Sequence, residues 1–306
     1  MTISVTIGVC LRNCENDVRH IVNRICNQDF PPANMEVIFV DDGSEDNTFS
    51  AISEHGSKMN LNYKIYRHNW KGLGYSRNVV LKNARGNYVV WIDDGTLLPK
   101  EYVRKLVTFI EKHLDIGIAR GVIGFLSSSN IIATLENMSH LAFNDKHEGK
   151  YTTKLIGTGG SIYRVKAAKQ VGGFNENIQG AAEDNDIAFR LLSIGWRIFI
   201  LRVKFFIKEK KEMRKVWKTS LWYGYGSHFT FHRHKKLRRT LYRSTPIAGF
   251  FQGILASIPV YKLTHKKISF LLPIFFSIKR VGWCLGFVHA HLDSYGHLNG
   301  VAPLKM

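Results

Sequence analysis

The chain has 306 residues, 45% hydrophobic and 22% charged, with a formal net charge of +19. This is globular composition, which excludes a disordered or fibrous chain and leaves room for one large α/β domain with an appendage or for two domains. The charge is uneven: residues 1–201 carry 23 Lys and Arg against 21 Asp and Glu, whereas residues 202–243 carry 14 against 2, so the last third calls for an anionic partner, membrane lipid or nucleic acid.

Taken in chain order, Ile3–Cys10 reads as a strand with no basic leader before it, so no signal peptide is expected. Glu15–Asp29 places Val18, Ile21, Val22 and Ile25 at helical spacing and is stopped by Pro31 and Pro32. Met35–Val40 is a second strand with the turn Asp41-Asp42-Gly43-Ser44 after it, and Ser44 or Asp46 is placed to cap a helix running toward His55. Leu61–Tyr66 reads as a strand, Leu73–Ala84 as a helix, Tyr88–Ile92 as a strand and Pro99–His113 as a helix. Strands and helices alternating at this interval predict an α/β fold with a doubly wound, mainly parallel sheet. Ile116–Phe125 fits a strand and Ile131–Phe143 a helix; Gly157-Thr158-Gly159-Gly160 then leads into Ser161-Ile162-Tyr163-Arg164, and glycines there permit close approach to a ligand. Ala182–Ile194 is a helix opening on Glu183-Asp184-Asn185-Asp186, and Trp196–Leu201 is expected to be the last strand. The four cysteines make no CxxC pair and no zinc spacing, so reduced, mostly buried thiols are expected.

Tyr88-Val89-Val90-Trp91-Ile92 ends abruptly on Asp93 and Asp94. Ligands of open α/β sheets bind beyond the carboxyl ends of the strands, and paired carboxylates there can hold a hard divalent cation, which commonly brings phosphates with it. Alone, such a pair is as well explained as a helix cap or a solvated turn. Asp41-Asp42 and Glu183-Asp184 repeat the pattern at other element ends, and together the three point to one cleft. A dinucleotide fold competes, because Asp41 imitates its ribose-binding acid. However, Gly8-Val9-Cys10-Leu11-Arg12-Asn13 is not GxGxxG, Gly72-Leu73-Gly74 has Arg77 where the third glycine belongs, and no GxxxxGK[ST] is present.

The order of motifs resembles family 2 glycosyltransferases of the GT-A fold. The matching residues are Val40-Asp41-Asp42-Gly43-Ser44, Gly72-Leu73-Gly74-Tyr75-Ser76-Arg77-Asn78, Ala84-Arg85-Gly86-Asn87-Tyr88, Trp91-Ile92-Asp93-Asp94, Gly157-Thr158-Gly159-Gly160, Gly172-Gly173-Phe174-Asn175-Glu176, and Glu183-Asp184-Asn185-Asp186 with Arg190 and Gly195. The match covers roughly residues 3–200. It implies an inverting, hexosyltransferase-type enzyme using a nucleotide-diphosphate sugar, with Asp41 and Asp42 at the base and ribose and Lys71 and Arg77 near the diphosphate. It further implies Asp93 and Asp94 in the metal motif with Mn²⁺ or Mg²⁺, Gly159 and Gly160 on the acceptor side, and Asp184, beside Glu183, as general base. The family motif is Asp-x-Asp, and Gly95 falls where its second acid belongs; either Asp94 supplies the ligand through a shifted loop or metal binding is weakened. Members that glycosylate a lipid phosphate need a base less, so the acidic pair leans toward an acceptor hydroxyl on a glycan or lipid-linked glycan. A catalytically silent module of the same fold is the alternative.

From Lys208 the chain is basic and aromatic, and Ile247–Tyr261 and Ile268–Ala290 are apolar but interrupted, by Pro259 and by Pro273 with Lys279-Arg280. Segments of this kind are expected to be interfacial or re-entrant helices, or a short hairpin. The division is therefore a catalytic domain over residues 1–205 and a membrane-associating region over 206–306, docked on the anionic cytoplasmic face of a membrane. Nucleic acid, which interleaved cations and rings can also bind, is disfavoured by the apolar segments. His228, His232 and His234 could serve a metal or a diphosphate, and a membrane- or solvent-facing cluster is the expectation; Gly282, Gly286, His297 and Gly300 decide nothing.

Overall fold

The computed structural model describes residues 3–144, 147–178, 180–208, 210–234 and 240–293. His297, Gly300 and, in the basic stretch, Lys235, Lys236, Arg238 and Arg239 lie outside the described residues. The chain clusters into two compact units, one of residues 1–122, 147–176 and 184–206, the other of residues 123–146, 177–183 and 207–306.

The first unit is built on a nine-stranded sheet. Its strands are β1 (Val5–Leu11), β2 (Met35–Asp42), β3 (Asn62–His68), β4 (Tyr88–Trp91), β5 (Thr96–Leu97), β6 (Ile116–Ile123), β7 (Lys150–Thr152), β8 (Ser161–Arg164) and β9 (Arg197–Ile207), in the order β3-β2-β1-β4-β8-β6-β9-β5 with β7 on β9. The half from β3 to β4 is parallel. Beyond it β8 runs antiparallel to β4 and β6 antiparallel to β8, so the sheet is mixed. Helices α1 (Glu15–Cys26), α2 (Thr48–Gly56), α3 (Leu73–Asn83) and α4 (Tyr102–Lys112) connect the early strands. Each begins and ends within a few residues of its predicted bounds, because its apolar stripe is what the sheet buries: Val18, Ile21, Val22 and Ile25 of α1 are all buried. Asp46, not Ser44, satisfies the start of α2, its Oδ1 accepting from Thr48 N at 3.0 Å.

β9 is longer than expected. Arg202 and Lys204 look like a strand end, but both are exposed on one face of a continuing alternation, while Phe205, next after Lys204, is fully buried against Tyr102. The short helix α6 (Val165–Gln170) and α7 (Glu183–Ser193) complete the elements between β8 and β9.

The second unit is helical: α5 (Ile131–Asn144), α8 (Met213–Arg233), α9 (Pro246–Thr264) and α10 (Leu272–Leu292). Leu135 and Met138 of α5 share an apolar core with Val216, Val260, Phe275 and Phe276. Neither predicted interruption breaks a helix. Pro259 lies inside the continuous α9, and Pro273 sits in the first turn of α10, where its missing N–H costs nothing. Lys279 is neutralised by Glu136 at 2.6 Å, and that pairing holds the Glu136 carboxyl below its usual range although burial alone would raise it. Small residues bring the helices together: a Cβ on Gly224 would collide with the Trp283 carbonyl, and one on Gly286 with the Leu221 carbonyl, so α8 and α10 touch backbone to backbone. The histidines expected to face membrane or solvent do not all do so, because His228 is 0% exposed.

Candidate active site

β1 lies between β2 and β4, so the carboxylates that end those two strands are brought to the two sides of Cys10. Burial pushes the Cys10 thiol up to about 12, with Arg77 acting against the shift and Asp93 and Asp42 adding to it, which excludes a thiolate nucleophile there. Asp41 and Asp42 project to opposite sides of β2. Asp41 is fully buried and occupied within the chain, accepting from Ser44 N at 3.0 Å and pairing with Arg67 Nε at 3.2 Å. Asp42 accepts from the backbone N–H groups of Lys71 at 2.8 Å and Gly72 at 3.2 Å, with His68 Nδ1 3.4 Å away. Burial raises its pKa and these donors oppose the rise. Lys71 sends its ammonium over the Tyr75 ring, 4.2 Å from the centroid. Beside these strand ends opens a pocket of about 460 Å³, walled by Arg12, Ser44, Arg67, His68 and Trp70.

Arg77 on α3 is only 3% exposed. Its guanidinium lies 6.0 Å from the Trp91 ring and 5.6 Å from that of Phe174, and donates to Asp93 Oδ1 at 3.3 Å. Arg77 thus grips Asp93 from below and leaves Oδ2 on the other side. That oxygen faces Gly159: a Cβ there would stand 2.8 Å from Asp93 Oδ2 and 3.3 Å from Thr96 Oγ1, so only glycine admits the carboxylate. Gly160, at φ +72°, accepts from Tyr102 Oη at 2.7 Å and donates to the Trp91 carbonyl at 3.0 Å, tying the glycine turn to β4. Asp94 is exposed and its Oδ1 takes the Gly95 N–H at 2.8 Å. Asp93 and Asp94 therefore offer two carboxylates at one strand end. Two carboxylates are a donor set of the kind Mg²⁺ or Mn²⁺ takes together with substrate phosphates and water, although Gly95 supplies no third acid.

Asp184, the second residue of α7, takes the Asn185 N–H on Oδ1 at 2.7 Å and a second backbone hydrogen bond from Thr158. Loss of hydration pushes its carboxyl above the usual range, and Arg77 and Arg120 oppose the shift. The position one residue C-terminal to Ile156 is where these groups meet: a Cβ on Gly157 would lie 3.3 Å from Asp184 Oδ2 and 3.9 Å from Arg120 Nη1. Arg120 in turn presses the Lys154 ammonium, which burial has already lowered, down to about 8. Glu183, the first residue of α7, is buried. Of the expected site residues, Arg77, Asp93, Gly159 and Asp184 are thus linked through one set of contacts and fields, Asp42 and Lys71 form a second group at the next strand end, and Asp41 is held by Ser44 and Arg67, which line the pocket beside it.

Arg120, Lys154, Arg67 and Trp70 were not singled out from the sequence. A signal existed for Arg120, a lone cation inside the otherwise apolar strand Ile116-Gly117-Ile118-Ala119-Arg120-Gly121-Val122-Ile123. Removing it has a definite consequence. With less positive charge nearby, the Asp184 carboxylate is harder to form, so in Arg120→Gln the acidic limb of kcat/KM moves to higher pH; an unmoved limb would show that Asp184 does not titrate in the reaction.

A family model described as "Glycosyl transferase family 2" matches residues 6–172, more than half of the chain. Among curated proteins, the poly(ribitol-phosphate) β-N-acetylglucosaminyltransferase TarS of Staphylococcus aureus is 35% identical over 101 residues, 33% of this chain and 18% of that protein. Glycosyltransferase GlyA of Streptococcus pneumoniae is 24% identical over 231 residues, 71% of this chain and 32% of that protein. The chain therefore spans about a fifth to a third of these relatives. Among solved structures, the mannosyltransferase PcManGT of Pyrobaculum calidifontis, in complex with GDP-Man and Mn²⁺, superposes with a TM-score of 0.68 at 16% identity, covering 96% of this chain and 88% of that one. TarS residues 1–349 of S. aureus superpose with a TM-score of 0.53 at 21% identity, covering 97% of this chain and 92% of that one. Both share the mixed α/β fold.

Proposed function

The chain belongs to glycosyl transferase family 2 and has the GT-A fold, and from that premise we propose that it is an inverting, membrane-associated glycosyltransferase drawing on a nucleotide-diphosphate sugar. The observation that carries the reading is the juxtaposition of a desolvated Asp184 carboxylate with the Arg77–Asp93–Gly159 group at the end of β4. A carboxylate whose pKa is raised by loss of hydration is a stronger base than a solvated one.

In this mechanism Asp184 accepts the proton of an acceptor hydroxyl while that oxygen bonds to the anomeric carbon from the face opposite the diphosphate. The bond to the diphosphate oxygen breaks as the new one forms, which inverts the centre. Lys71, an exposed cation, is available to the leaving diphosphate, whereas the buried Arg77 acts through Asp93, fixing where that carboxylate points. Asp93 and Asp94 would hold a Mn²⁺ or Mg²⁺ ion, whose contribution is to neutralise charge on the diphosphate. The pocket beside Asp42, with Trp70 and the Arg12 guanidinium 5.3 Å from its ring, offers a flat ring on which a nucleotide base can stack and polar groups within reach of a ribose.

The experiment is to incubate the full chain with a panel of nucleotide-diphosphate sugars, with and without Mn²⁺, and to measure binding and slow donor hydrolysis. The expected result is hydrolysis of one donor, stimulated by the cation and lost in Asp94→Ala. Binding without hydrolysis or transfer would establish instead the silent module that Gly95 brings to mind, and full activity in excess EDTA would remove the cation from the reading.

The C-terminal helices supply the membrane part of the proposal. α9 and the segment Lys267–Leu292 are both long and apolar enough to cross a bilayer. We favour helices that lie on the surface. α10 is locked backbone to backbone along α8 through Gly224 and Gly286, and α8 carries Arg214, Lys215 and Lys218 and would have to follow it into the lipid. The apolar residues left over form outward stripes, Ile247, Phe251, Leu255 and Ile258 on α9 and Ile274, Val281, Leu285 and Val288 on α10.

A further inference from the structure

We propose that His228, His232 and His291 form a site for one transition-metal ion of the zinc class, joining α8 to α10. His228 and His232 stand one turn apart on α8, at the spacing that puts two side chains on one helix face. His291 lies in the last turn of α10. One potential ligand atom from each lies within 4.8 Å of the other two.

The geometry is close to that of an assembled site. His228 Nε2 and His291 Nδ1 are 3.3 Å apart. Two imidazole nitrogens bound to one tetrahedral Zn²⁺ at about 2.0–2.1 Å are themselves about 3.3 Å apart, so the pair needs little movement to span an ion. His232 Nδ1 donates to the His228 carbonyl at 3.0 Å. A hydrogen bond of that kind from the far ring nitrogen fixes the tautomer of a metal-bound imidazole and leaves Nε2 with its lone pair for the ion. The Phe287 ring, 4.8 Å from His228 and stacked at 6.3 Å on His232, limits rotation of both imidazoles.

Burial is graded across the cluster. His228 is 0% exposed, His232 is half-buried and His291 is exposed. The protein closes one side and solvent reaches the other, which gives an ion a way in and leaves the remaining coordination position to water. Imidazole donors select zinc and its neighbours, not Mg²⁺ or Mn²⁺, which prefer oxygen. A proton shared between His228 and His291 would account for two rings at this distance but gives no reason for the third to converge on them. An ion bound here pins the end of α10 to α8, and because it binds the folded form it raises the melting temperature.

The test uses the untagged full chain, equilibrated with ZnCl₂ and desalted, with bound metal measured by mass spectrometry and thermal unfolding followed in parallel. The expected result is one Zn²⁺ per chain, a higher Tm with zinc than after chelation, and visible absorption of tetrahedral Co²⁺ on substitution. His291→Ala removes an exposed side chain and leaves the fold intact; it lowers zinc affinity by at least about 10²-fold, beyond the loss expected for an outer-shell partner, and abolishes the zinc-dependent Tm shift. Asp94→Ala keeps the zinc and the Tm shift. Absence of stoichiometric zinc in the wild type, or zinc retained in both His291→Ala and His232→Ala, would overturn the proposal.

Discussion

Asp184→Asn lowers glycosyl transfer by about 10²–10⁴-fold while leaving donor affinity nearly unchanged, the range expected when a positioned general base is lost. The amide is isosteric and can still accept the Asn185 N–H, so α7 begins as before. What disappears is the capacity to take a proton. The effect therefore falls on kcat, and the acidic limb of the wild-type profile vanishes with it. That limb lies above the ordinary carboxyl value of 3.8, because desolvation raises the Asp184 pKa and activity is lost as pH falls through the raised value. Isothermal titration with the donor, alongside initial rates across pH, separates the two consequences. Near-normal transfer by Asp184→Asn would remove this residue from the mechanism and turn attention to Glu183→Gln.

β1, β2 and β4 of the parallel half were legible because each is buried on both faces and ends on a turn, whereas the edge strand β3 has no buried position. β2 is buried at all eight of its positions, and such a run has little other use than a central strand. The carboxylates at the ends of β2 and β4 were legible for the same reason, since a charge after an apolar run marks where the chain leaves the sheet. Four features escaped. β5, β7 and α6 are too short to carry a period. The interruptions ascribed to Pro259 and Lys279 vanish because packing repairs them: the α9 helix runs on, and Glu136, more than a hundred residues earlier, supplies the countercharge. The amphipathy of α5 announced a helix but not its partners, Val260 and Phe275, which lie far along the chain. Arg120 and Lys154 were passed over because the burial that shifts both, and the approach of Arg120 to Lys154 and Asp184, exist only in the folded chain.

The same long-range packing decides how membrane docking is best tested. Cutting the chain near Arg202 would split β9 before the buried Phe205 and strip α5 of its apolar neighbours, so loss of solubility would say nothing about lipid. Point changes on the exposed stripe avoid this. Phe251, Leu255 and Ile258 are 60%, 76% and 57% exposed and share one face of α9 at i, i+4 and i+7, so replacing all three with Glu disturbs little packing. Burying each in the headgroup region contributes about 1 kcal/mol or more at roughly 25 cal/mol per Å², so the triple variant partitions at least about 10²-fold less onto vesicles. The basic stretch acts on top of this, at about 1 kcal/mol per cation near an anionic surface, but it is screened over about 8 Å at physiological ionic strength. The wild-type chain is therefore expected to co-sediment with anionic vesicles in both low and high salt, and Phe251→Glu/Leu255→Glu/Ile258→Glu only in low salt. Salt-resistant binding by the variant would move the docking face elsewhere. A wild-type chain that stays in the supernatant at every salt concentration would end the membrane reading, and salt-dependent retention on RNA or DNA in its place would assign the basic stretch to nucleic acid.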